Sequence, residues 1–254
     1  MKFGISKLSI VPVRFDPNDQ SEMTTQLIFG EHYKILESKE KWSKIEIAHD
    51  KYIGWICNKQ NQEISEEEYQ KLEKEIPTLT TDILDIIEHD YHQPIVIGSV
   101  LPTYKSDHAL INNKMYKFTG KKTQGFGQKK HLIKNAMVFL NAPYLWGGRT
   151  PFGIDCSGFT QIIYRLQGIK IPRDAYQQAE IGTTLGFIDE CEEGDLAFFE
   201  NNEGKIVHVG IIMLDNQIIH ASGKVRIDKI DQKGIFNSEL KKHTHKLSVI
   251  KKLI

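Results

Sequence analysis

Tyr144-Leu145-Trp146-Gly147-Gly148-Arg149, followed shortly by Asp155-Cys156-Ser157-Gly158, is the stretch on which the reading of this chain turns. Gly147, Gly148 and Pro151 break the chain, Asp155 supplies a short polar side chain, and residues 159–166 read as a helix. A cysteine at a helix start sits among unpaired backbone N–H groups and at the positive end of the helix dipole. Both lower a thiol pKa, and the thiolate is the attacking species. Cys156 is therefore the candidate nucleophile.

Outward from this stretch, residues 129–140 carry Leu132, Ile133, Ala136, Met137 and Leu140 at the spacing of an amphipathic helix. Downstream, residues 196–199, 207–213 and 217–221 read as strands. Helices first and an antiparallel sheet afterwards predict an α+β domain. The strands hold His208, in Val207-His208-Val209-Gly210-Ile211, and His220, in Ile218-Ile219-His220-Ala221-Ser222. A cysteine, a histidine to take its proton and a polar group to orient that histidine form a nucleophile constellation.

Parity decides whether the two histidines can meet. Leu214-Asp215-Asn216 is a turn signal, so the flanking strands should form a hairpin. A loop of two or four residues puts His208 and His220 on opposite faces; an odd loop puts His220 opposite Gly210 or Ile212, on the face of His208. Opposite Gly210 it is a diagonal neighbour, roughly 7–8 Å away between backbones. An odd loop, or a bulge of the same effect, is the expectation.

Residues 1–60 read as short strands between polar turns, indicating a small barrel or sandwich that sets a first module over 1–62. A charged connector follows over 63–80, and residues 81–124 return to strand-like runs, suggesting a second β module. The catalytic domain then occupies 125–254.

Composition excludes several classes. Lysines plus arginines equal acids at 33 each, so no strong field attracts nucleic acid or an acidic membrane. No apolar run approaches the roughly 18 residues of a membrane helix. Residues 1–13 read as a strand rather than a secretory signal, and three cysteines without scaffold spacing suit a reducing compartment. The expectation is a cytoplasmic monomer with no cofactor and no metal. Cys57 and Cys191 lack helix-start chemistry, and His32, His49, His89, His92, His108, His131, His243 and His245 read as surface or turn residues.

Tyr-x-Trp-Gly-Gly, Asp-Cys-Ser-Gly, His-Val-Gly-Ile and Ile-His-Ala-Ser, in this order, resemble the NlpC/P60 family of cell-wall cysteine peptidases, over about residues 127–254. The resemblance implies an α+β papain-like catalytic domain preceded by small all-β SH3-like barrels. It implies Cys156 as nucleophile, His208 as base and His220 as orienter, and on physical grounds the helix terminus and His208 as imidazolium are expected to acidify Cys156. It also implies cleavage at γ-D-glutamyl bonds of peptidoglycan stem peptides.

Ser21-Glu22-Met23-Thr24-Thr25-Gln26-Leu27 and Tyr52-Ile53-Gly54-Trp55 are similar to the SH3 modules of the γ-D-glutamyl-L-diamino acid peptidases of muropeptide recycling. For that subgroup the resemblance implies murein stem peptides with a free N-terminal L-alanine, L-Ala-γ-D-Glu-L-Lys or its diaminopimelate counterpart. Tyr144, Trp146, Asp155, Ser157, Glu22 and Tyr52 then fall on the substrate side, with Glu31 as a competing carboxylate. Members often carry serine soon after a Pro-Arg-Asp; here Pro172-Arg173-Asp174 leads into Ala175-Tyr176. Three other readings stay open from sequence: a broader murein endopeptidase or amidase, a non-catalytic wall-fragment binder, and an acyltransferase with the same triad logic.

Overall fold

The computed structural model describes residues 1–129 and 131–254, and the chain divides into two compact units, Met1–Phe126 and Gly127–Ile254. Among the described residues, no helix is long and apolar enough to cross a membrane.

The first unit is built mainly of strands. Its largest sheet runs Met23–Ile28, Ile10–Arg14, Ile53–Cys57, Trp42–Ile47, His32–Ser38, Lys2–Ile5, Gln62–Ile64, in that spatial order. Alternation sets the buried face: Ile45 and Ile47 pair with Ile35 and Tyr33, and all four enter one core with Val11, Val13, Leu27 and Ile56. Smaller four- and three-stranded sheets follow.

The charged stretch between the sheets does more than connect them. Glu66–Lys74 is a helix whose Ser65 cap accepts the Glu68 N–H at 3.1 Å, with acids in its first turn and Lys71 and Lys74 in its last. It buries Tyr69 and Leu72 in a cluster that also takes Phe3 and Ile5 from the first sheet, Phe29 from the turn after Met23–Ile28, and Ile87, Ile95 and Tyr116 from the later strands. The two β stretches thus share one core.

In the second unit, helix His131–Met137 buries Leu132 and Ala136 of the expected stripe, but it ends at Met137, and Ile133 is only part-buried while Met137 and Leu140 are exposed. The predicted helix over 129–140 includes Lys130, which lies outside the described residues. Helix Cys156–Arg165 is buried along its whole length. Full burial of Phe159, Ile162 and Ile163 contributes about 2 kcal/mol for each side chain.

This helix packs on strands Ile206–Met213 and Gln217–Ser222 of a seven-stranded antiparallel sheet. The sheet runs Thr183–Leu185, Lys242–Lys252, Leu196–Glu200, Ile206–Met213, Gln217–Ser222, Lys224–Asp231, Gly234–Asn237. Gly234–Asn237 also pairs with Lys242–Lys252, closing six of the strands into a barrel. The last three strands of the chain extend the sheet well beyond the three read from sequence.

Candidate active site

Cys156 is the first residue of its helix, and Asp155 is the N-cap. The cap has an extended backbone, and its carboxylate accepts the Gly158 N–H at 2.7 Å. Gly158 is required by close approach: a Cβ there would lie 2.4 Å from the Gly148 carbonyl oxygen. The Tyr144 to Gly148 loop therefore packs directly on the start of the helix, and Asp155 ties it down by accepting the Gly147 N–H at 2.8 Å.

The remaining capacity of the Asp155 carboxylate goes to Arg173, which approaches end-on through Nη1 and Nη2 at 3.0 and 2.6 Å. Arg173 also donates to the Ser157 hydroxyl at 2.9 Å, and that hydroxyl lies 3.3 Å from Asp155. Both members of the ion pair are buried. Asp155 and Ser157, read from sequence as substrate residues, thus have a first task in holding the nucleophile loop to its helix.

The hairpin has the expected parity. Met213 pairs with Gln217 across the three-residue loop Leu214-Asp215-Asn216, and Gly210 pairs with His220. Asp215 and Asn216 take φ of 58° and 52°, the left-handed conformation that short polar residues tolerate in turns. His208 and His220 share a face, with His208 Nε2 2.8 Å from His220 Nδ1. His208 stands beside Val209, whose backbone N–H points at the Cys156 sulfur, as does that of Ser157.

Residues 141–246 match the NlpC/P60 family, and residues 13–60 match the bacterial dipeptidyl-peptidase SH3 domain. The C-terminal unit carries an NlpC/P60 domain. The chain is 29% identical over 229 residues to a gamma-D-glutamyl-L-lysine dipeptidyl-peptidase of Bacillus cereus, across 79% of this chain and 68% of that protein. It is 25% identical over 247 residues to dipeptidyl-peptidase 6 of Lysinibacillus sphaericus, across 85% and 88%. The fold matches the crystal structure of an NlpC/P60 family protein from Bacillus cereus, with a TM-score of 0.83 over 98% of this chain and 99% of that one, at 21% identity.

Within the NlpC/P60 domain, three residues that the sequence reading passed over complete the histidine pair. His220 Nε2 lies 3.0 Å from Asp228 Oδ2. Arg226 grips the same carboxylate through Nε at 2.7 Å and Nη2 at 3.0 Å. His245, expected at a surface or turn, instead stacks on His208 with ring centroids 4.3 Å apart and planes 28° from parallel. Its strand is the last of the chain, and it pairs with Leu196–Glu200, which pairs in turn with the strand of His208. No motif flags these residues; cross-strand register is the one signal that finds them.

The electrostatics differ from the acidified thiol expected at a helix start. Burial, and then the charge of Asp155, push the Cys156 thiol up to about 12, outweighing the Val209 and Ser157 N–H groups and Arg173. Burial, with His220 and His245 adding, holds His208 well below the ordinary histidine value. Burial also lowers His220, with the Asp228 carboxylate opposing. Both shifts run toward the neutral forms, thiol and imidazole, and away from the ion pair. The physical reason is desolvation: Cys156 and His208 are each only 6% exposed.

Tyr144 is half-buried, and burial followed by the nearby Cys156 and Asp155 pushes its phenol up to about 12, so it is a proton donor at neutral pH. Trp146 is 59% exposed and so is no part of the core. In the first unit, Glu22 is exposed at the start of strand Met23–Ile28, and Tyr52 packs part-buried against the Val11 cluster. Glu31 is 2% exposed and accepts the Ile28 N–H at 2.8 Å, whereas Glu22 lies at the surface of the first unit.

Proposed function

We propose that this chain is a cysteine peptidase that hydrolyses the γ-D-glutamyl–L-diamino acid bond of murein stem peptides bearing an unblocked N-terminal L-alanine. It releases L-Ala-γ-D-Glu and serves cytoplasmic recycling of cell-wall peptides. The observation that carries the reading is the hydrogen-bonded His208–His220 pair on the two strands against which the capped helix of Cys156 packs. The relatives named as dipeptidyl-peptidases support the choice of substrate.

Because both shifts favour the neutral thiol and imidazole, His208 acts as a general base rather than as a standing imidazolium. Its lone pair takes the Cys156 proton as sulfur attacks the γ-carbonyl of D-glutamate. The Cys156 backbone N–H and the Tyr144 hydroxyl are the donors proposed for the oxyanion. His208 then returns the proton to the leaving α-amine of the diamino acid. Water, deprotonated by His208, hydrolyses the thioester and regenerates the thiol. His220 fixes the orientation of His208 throughout.

Candidates for recognising the alanine ammonium are Trp146 in the second unit, by cation–π attraction, and, independently of it, Glu22 and Tyr52 in the first, by charge pairing. Asp155 and Ser157 serve the same end by fixing the loop that carries Trp146. A recognition group of this kind rejects a blocked amine, because its carboxylate is left unpaired. Acetylating the amine of L-Ala-γ-D-Glu-L-Lys should reduce kcat/KM by at least about tenfold, on the order of one lost charged contact. Equal hydrolysis of both peptides would exclude amine recognition and leave a broader endopeptidase.

A further inference from the structure

The two nitrogens of His208 are not equivalent, and the base mechanism needs one particular proton arrangement. His220 meets His208 with Nδ1 and Asp228 with Nε2. An ionised carboxylate only accepts hydrogen bonds, so His220 Nε2 must carry a proton. In the neutral ring Nδ1 is then a lone pair, and the hydrogen bond at 2.8 Å requires His208 Nε2 to be its donor. His208 Nδ1 is left as the lone pair. The direction of the whole chain is set at its far end.

Asp228 is equipped to set it. It lies in strand Lys224–Asp231, where Ile218 is its cross-strand partner and Arg226 is that of His220, so carboxylate and imidazole are diagonal neighbours. The residue is 7% exposed. Arg226 engages both carboxylate oxygens and in turn lies 3.6 Å from Glu239. Burial pushes the Asp228 carboxyl up, but the hydrogen bonds of His220 and Arg226 bring it below its ordinary value, so it stays ionised.

We propose that Asp228, held ionised by Arg226, is a positioning residue that fixes the tautomer of His220 and thereby presents the Nδ1 lone pair of His208 to the Cys156 thiol. This deepens the peptidase reading and rests on it for its kinetic readouts, while the tautomer itself is independent of substrate. Removing the carboxylate has a consequence beyond lost support. Arg226 Nε and His220 Nε2 share Asp228 Oδ2, so without it the guanidinium becomes the available donor to His220 Nε2. That bond demands a lone pair on Nε2 and a proton on Nδ1, which reverses the chain and protonates His208 on the nitrogen that must act as base.

The test compares three variants of the full chain on L-Ala-γ-D-Glu-L-Lys. Asp228→Ala should lower kcat on the order of 10²-fold, the scale of a lost general base, with KM within about threefold. Asp228→Asn keeps an amide oxygen able to take the Oδ2 place and should stay within about tenfold of wild type. Asp228→Ala with Arg226→Ala removes the wrong donor and should recover activity relative to Asp228→Ala alone. A purely structural role predicts the opposite, a double variant no better than the single one.

Long-range ¹H–¹⁵N spectra of the wild-type protein, with the His220 signals assigned by their loss in His220→Asn, supply the second arm. A proton on His220 Nε2 is expected. A proton on His220 Nδ1, or kcat of folded Asp228→Ala within threefold of wild type, would overturn the proposal. Absence of hydrolysis by the wild type would remove the peptidase reading and leave the tautomer assignment to the spectra.

Discussion

At the scale of single residues, the environment of Cys156 is set by an ion pair the sequence does not announce. Arg173 follows a proline and precedes an aspartate, and nothing in that run says it reaches back to Asp155 with both guanidinium arms. Cys156, His208 and His220 are legible because each sits in a short run that exposes its chemistry. Arg173, Arg226, Asp228 and His245 are not, because their partners are set by folding rather than by neighbours in the chain. The ion pair is buried, so breaking it strands a carboxylate in the protein interior. Arg173→Met should cost about 3 kcal/mol or more of stability, measured by urea unfolding. A change below about 0.5 kcal/mol would mean that the N–H groups of Gly147 and Gly158 satisfy Asp155 alone.

At the scale of elements, the hairpin between His208 and His220 was readable from parity, since an odd loop is the arrangement that puts both rings on one face. Gly210 shows how tight that arrangement is. A Cβ there would lie 2.9 Å from His220 Cβ and 2.7 Å from Ile218 Cδ1. Gly210→Ala should therefore displace His220 and lower kcat by about tenfold or more while leaving far-ultraviolet circular dichroism unchanged.

The closing strand Lys242–Lys252 is not readable, because its charged positions mask the alternation and its partners, Thr183–Leu185, Leu196–Glu200 and Gly234–Asn237, are set by folding. It brings His245 onto His208, and burial, with His220 adding, lowers His245 to about 4. The sign follows from linkage: below about 6.5 the unfolded chain takes up a proton that the folded ring refuses until about 4, so stability falls as pH drops through that window. His208 and His220 act in the same direction. His245→Phe keeps a ring on His208 but cannot titrate, so its melting temperature should fall less than that of wild type between pH 7 and pH 4. An identical fall in both proteins would show that His245 carries none of this dependence.

At the scale of the whole molecule, the α+β character of the C-terminal unit and the β character of the N-terminal one follow from residue patterns. The shared core of the first unit does not. Short strand-like runs on either side of a charged stretch look like two modules, yet Tyr69 and Leu72 on the intervening helix join them in one cluster. The proposed chemistry rests on one residue of the 254, Cys156, with His208 as its base. Product analysis by mass spectrometry after incubation of L-Ala-γ-D-Glu-L-Lys with wild type and with Cys156→Ala tests that assignment most directly. Wild type should yield L-Ala-γ-D-Glu and lysine, and the folded variant neither; release of both products by Cys156→Ala at the wild-type rate would contradict it.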